Sequence, residues 1–121
     1  MPTPKLLCVD DSPIMLAKLK QIAESVGYEV CGLAQSGPDA VKLYPEIKPD
    51  AVTMDITMVG QDGIETVRQL RKLDPNVRIV MVTSHGQESM VLQALKAGAK
   101  GYVMKPVDPE SLANHLARAL K

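Results

Sequence analysis

Four of the five short apolar runs in this chain of 121 residues end on side chains able to do chemistry. Asp10 and Asp11 follow "KLLCV", Asp55 closes "DAVTMD", Thr83 and Ser84 close "VRIVMVTS", and Lys105 stands between "GYVM" and Pro106. The remaining run, "YEVCGLA", ends on nothing reactive. Taken alone, Asp10 and Asp11 read as caps for a helix that begins at Ser12 and Pro13, because acids favour the amino end of a helix. If the first and third runs are neighbouring strands, however, three carboxylates converge. Two unit charges about 5 Å apart repel by roughly 3 kcal/mol at an effective dielectric of about 20, so such a cluster calls for a proton or a cation. A ligand set of oxygens with neither Cys nor His suits a hard ion, and a few carboxylates plus water suit Mg2+ better than a full Ca2+ cage. Lys105 on the far side of the same pocket would hold an anion with several negative oxygens, such as a phosphoryl group, and Thr83 would add a neutral hydroxyl donor. Asp55 is then the candidate nucleophile, forming an aspartyl phosphate. Neither GxxxxGK[ST] nor GxGxxG occurs, so ATP is not the expected direct donor.

The elements that must position these residues follow from pattern. The five runs are nearly continuous in apolar residues, as strands covered on both faces are in a parallel sheet. Between them lie helical periods. Ile14, Met15, Leu19, Ile22, Ala23 and Val26 form the first face, which Gly27 closes; Ile64, Val67 and Leu70 mark the third helix. Met90, Val91, Ala94 and Leu95 mark the fourth, ended by Gly98, and Leu112, Ala113, Leu116, Ala117 and Leu120 mark the fifth, started by Asp108 and Pro109. The second, 37–47, contains Pro45, which is expected to end or kink it near Leu43. Strand then helix, five times over, predicts a doubly wound α/β sheet with right-handed crossovers, whose ligands gather at the carboxyl ends of the strands.

Bulk composition narrows the field. Lys plus Arg and Asp plus Glu number 14 each, so no overall field draws the chain to nucleic acid or to an anionic membrane. With 45% hydrophobic residues, residues 1–121 read as one domain with a real core. Cys8 and Cys31 sit singly in apolar runs and read as free buried thiols, and no apolar run approaches a membrane span, so a cytoplasmic protein is expected. The absence of Phe and Trp leaves seven Met as filler, among them Met54, Met58, Met81 and Met104, and removes the stacking surfaces of a flavin site.

The motifs "CVDDSP", "KPDAVTMDI", "DGIE", "VTS" and "LKAGAKGYVMKP", in this order along essentially the whole chain, resemble the receiver domain of two-component response regulators, and within it the single-domain chemotaxis type. The resemblance implies a flavodoxin-like (βα)5 fold with a five-stranded parallel sheet in the order 2-1-3-4-5, an order taken from the family and not from the pattern. It implies that Asp55 accepts a phosphoryl group from the phosphohistidine of a sensor histidine kinase or from small acyl phosphates. Mg2+ would be held by Asp10, Asp11, Asp55 and the backbone carbonyl of Thr57. Lys105, ahead of a cis Lys105–Pro106 peptide, would bind a phosphoryl oxygen; Thr83 would move toward that group and Tyr102 would swing inward behind it. Thr57 and His85 fall at positions that tune rate. A downstream target, a flagellar motor switch or another protein, would dock on the face of the fourth helix, fifth strand and fifth helix, with no membrane and no nucleic acid bound by this domain.

Val59, Gly60 and Gln61 depart from the family's usual loop after the acceptor, which is expected to be more mobile here for that reason. His115 reads as a surface residue of the last helix. The expected catalysis is confined to the protein's own phosphorylation and dephosphorylation. Three rivals remain: the receiver part of a longer DNA-binding regulator, a phosphatase working through an aspartyl intermediate, and a flavin electron carrier. No output segment follows Lys121, which favours a stand-alone regulator; a phosphatase would want an acid where Thr57 stands; and the acids after the first strand would repel a flavin phosphate.

Overall fold

The computed structural model describes residues 3–58, 61–84 and 86–121, with Thr57, Gln61 and Asp62 described through their backbone alone. Strands β1 (Lys5–Val9), β2 (Glu29–Ala34), β3 (Ala51–Asp55), β6 (Ile79–Thr83) and β7 (Gly101–Met104) pair in parallel in the order β2-β1-β3-β6-β7. Counted along the chain, these sheet strands follow the order 2-1-3-4-5. The crossovers are helices α1 (Pro13–Ser25), α2 (Gly37–Ile47), α3 (Gly63–Leu73), α4 (Glu88–Ala97) and α5 (Pro109–Ala119). A two-residue hairpin, β4 (Thr57–Met58) with β5 (Gln61–Asp62), sits between β3 and α3. Pattern does not announce it, because two-residue strands leave no period to read.

Alternation along the strands divides the interior in two. Leu7, Val9, Val52, Met54, Ile79 and Met81 face α2, α3 and α4, packing on Ala40, Ile64, Val67, Leu70 and Ala94. Leu6, Cys8, Ala51, Val80, Val82 and Val103 face the other way, onto Leu16, Leu19, Ala23, Leu112 and Leu116 of α1 and α5. Each strand of the centre is buried on both faces, which is why its run is continuous instead of alternating.

Helix starts follow the polar signals. Ser12 accepts from the Met15 N–H, Ser36 from that of Asp39 and Asp108 from that of Ser111, each just ahead of a proline in the first turn. Three details correct the sequence reading. Ile14 is 70% exposed, because it lies about 140° around α1 from the stripe of Met15, Leu16, Leu19, Ile22 and Ala23 that meets the sheet. Pro45 does not end α2, which runs on to Ile47. Proline removes one donor so close to the end that burial of Ala40 and Tyr44 and packing of Leu43 and Ile47 carry the last turn through, and Lys48 closes it in the left-handed conformation (φ 46°) with its N–H on the Tyr44 carbonyl. Cys31 is half-buried, unlike Cys8, because β2 is an edge strand.

Tyr44 also ties α2 to the turn after α3: its hydroxyl donates to Asp74 Oδ2 at 2.7 Å. That bond and the Asn76 N–H hold the Asp74 carboxyl below its ordinary range. Tyr44→Phe is expected to lower stability by about 1 kcal/mol, read as a lower urea midpoint with unchanged slope.

Candidate functional site

The carboxyl ends of β1, β3 and β7 meet at one rim of the sheet, where β1 is flanked by β3 and the chain changes direction of winding. Asp10 is 1% exposed and Asp55 5%, both unusual for ionisable groups. Asp10 shows why it belongs there twice over. Its Oδ1 accepts the Ser12 N–H at 2.9 Å, fixing the turn into α1, while its Oδ2 is buried with no hydrogen bond and faces the cleft. Asp10, Asp11 and Asp55 each bring a carboxylate oxygen within 4.8 Å of the others.

Lys105 enters from β7. Its Nζ lies 3.5 Å from Asp55 Oδ1 and 3.6 Å from Asp10 Oδ2, and its main-chain N–H is held by the Thr83 carbonyl at 2.7 Å. The Lys105–Pro106 peptide is cis. One ammonium against three carboxylates leaves the cleft acidic, and the Asp55 carboxyl feels it. Burial first, then the neighbouring Asp10 charge, pushes its pKa up to about 6, and Lys105 restrains the rise. A buried carboxylate oxygen that makes no hydrogen bond, within reach of two other acids in an all-oxygen set, fits a small hard cation such as Mg2+.

Behind the acids, Thr83 is 1% exposed at the end of β6, and its hydroxyl bonds Gln87 Oε1 at 2.8 Å. Tyr102 on β7 points out, 40% exposed, with its ring centroid 6.1 Å from that of His115. His115 is half-buried, not the plain surface residue the sequence suggested, and its burial together with Arg118 lowers its pKa.

A family model described as "Response regulator receiver domain" matches residues 6–117. The chain belongs to the response regulator receiver domain family. The receiver domain is 44% identical over 117 residues to the chemotaxis protein CheY of Thermotoga maritima, covering 97% of this chain and 98% of that protein. It is 39% identical over 116 residues to CheY of Bacillus subtilis, at 96% and 97% coverage. Among solved structures, a CheX–CheY–BeF3–Mg complex from Borrelia burgdorferi superimposes with a TM-score of 0.90 at 33% identity, covering 97% of this chain and 89% of that one.

Within the receiver domain, Asp10, Asp11, Asp55 and Lys105 thus form one cluster, with Thr83 and Tyr102 on the strands beside it. The Thr57 main chain lies two residues after Asp55 in β4, paired with Asp62. His85, Val59 and Gly60, and the Thr57 and Gln61 side chains, lie outside the described residues. Two participants escaped sequence reasoning. Gly63 begins α3 with its N–H on the Ile56 carbonyl at 2.6 Å, so close that a Cβ would overlap the carbonyl oxygen of Asp55. The quoted "DGIE" contained it, and a glycine at a helix start shortly after Asp55 was the available signal. Gln87 carried no signal at all, since a single glutamine in a turn matches no spacing rule.

Proposed function

We propose that this receiver domain, acting as one unit over residues 1–121, is a phosphorylation-controlled signalling switch of the chemotaxis type with Asp55 as the phosphoryl acceptor. The observation that carries this reading is the Lys105 ammonium at 3.5 Å from Asp55 and 3.6 Å from Asp10, across a cleft of three carboxylates. An Asp55 oxygen attacks phosphorus, the bond from phosphorus to the histidine nitrogen or acyl oxygen of the donor breaks, and the leaving group keeps the electron pair. Asp10, Asp11, Asp55 and the Thr57 carbonyl would hold Mg2+, which would supply neutralising charge for the incoming phosphoryl oxygens. Lys105 holds one of those oxygens and Thr83 donates to another. The donor is a sensor histidine kinase, and a downstream target reads the α4–β7–α5 face, where Tyr102 lies.

The domain works on itself and on no external phosphoester, in keeping with a threonine where a phosphatase of this kind needs a second acid. No helix among the described residues is long and apolar enough to cross a membrane; the switch is placed in the cytoplasm as part of this proposal. Acetyl phosphate with Mg2+ should add one phosphoryl mass to the wild type and none to Asp55→Asn, as seen by intact-protein mass spectrometry. Equal incorporation into both proteins would move the acceptor elsewhere.

A further inference from the structure

The turn between β6 and α4 contains a contact that the acceptor chemistry does not explain. Gln87 is the residue before α4, yet its side chain makes no capping bond to that helix. Instead Gln87 Oε1 takes two hydrogen bonds at 2.8 Å, from the Ser84 N–H and from the Thr83 hydroxyl. The Ser84 N–H can only donate, so the amide atom facing it must be the oxygen. The Thr83 hydroxyl must then be the donor in its own bond to that atom, and a hydroxyl has one proton to give. A Thr83 engaged in this way has no donor left for a phosphoryl oxygen on Asp55. Engagement there requires the Thr83–Gln87 bond to break.

We propose that Gln87 is a positioning residue that holds the Thr83 hydroxyl away from Asp55 and thereby sets how readily the domain switches. This rests on the reading of Asp55 as acceptor and Thr83 as its donor. The same two residues, with Val91, Leu95 and Tyr102, line a groove of about 540 Å3 between α4 and β7. Release of the bond therefore changes the wall of the groove at the moment the site is occupied, and an occupant that prefers the released wall favours the occupied site in return.

The test uses beryllofluoride with Mg2+, a non-covalent phosphoryl mimic, titrated into the full chain by 1H–15N NMR. Gln87→Leu, which cannot accept, should bind the mimic about fivefold tighter than wild type, the scale of one neutral hydrogen bond. Gln87→Glu, which keeps an acceptor for both donors, should bind no tighter than wild type. In a Thr83→Val background the Gln87→Leu gain should vanish, since the proposed effect on the mimic runs through the Thr83 hydroxyl and not through the Ser84 N–H. Binding by wild type with an unchanged or weakened Gln87→Leu, a tighter Gln87→Glu, or a gain that survives Thr83→Val would overturn the role of Gln87 and leave Asp55 as acceptor. No binding by wild type would overturn the acceptor reading and this inference with it.

Discussion

Gly63→Ala is expected to lower stability by at least about 3 kcal/mol and to remove divalent-cation binding. A methyl at that position meets the Asp55 carbonyl oxygen, with the Ile56 Cα only 3.1 Å away, and these are backbone atoms that cannot rotate aside. Relief requires α3 to retreat from β3 or the main chain at Asp55 to shift, and either displaces the Asp55 carboxylate relative to Lys105. Gly27→Ala is the natural control. Gly27 has φ +98° with nothing within 4 Å of the added carbon, so its cost is conformational alone, about 1 kcal/mol. Urea denaturation of the two variants separates overlap from strain. Similar losses for both would mean that the α3 start tolerates the methyl.

Asp55→Asn is expected to stabilise the metal-free protein at pH 7.5 by about 2 kcal/mol. The sign follows from the direction of the shift. The Asp55 carboxyl has a pKa of about 6 in the fold against an ordinary value of 3.8, so the folded state holds this proton more tightly than the unfolded chain does. Its contribution is therefore most favourable below pH 3.8 and declines as pH rises through 6, a penalty of at most about 3 kcal/mol above that. Asparagine removes the penalty and gives up part of the Lys105 attraction. The gain should shrink toward pH 4.5. Millimolar Mg2+ should raise the urea midpoint of wild type more than that of the variant, because the ion offsets the charge the variant lacks. Parallel pH profiles for the two proteins would rule out Asp55 as a source of strain.

Much of this could be read from residue order. The buried strands gave continuous apolar runs, and the Ser-Pro and Asp-Pro pairs marked helix starts, because those signals are local. The acids, the threonine and the lysine were legible because each stands at the end of such a run. What could not be read is what depends on the third dimension. Ile14 sits one residue ahead of a buried stripe yet faces solvent, Pro45 is overruled by packing around Tyr44, and the ring contact of His115 with Tyr102 joins two elements whose spacing is not periodic. Gln87 is the plainest case: its significance lies entirely in which two donors converge on one oxygen.

The split interior has a consequence for how this sequence can change. Because successive residues of each central strand belong to opposite compartments, a volume change on the α1–α5 side is screened from the α2–α4 side by the sheet itself. The two halves can drift independently in side-chain size. Only the rim, where both compartments end on the same few main-chain positions, is answerable to both.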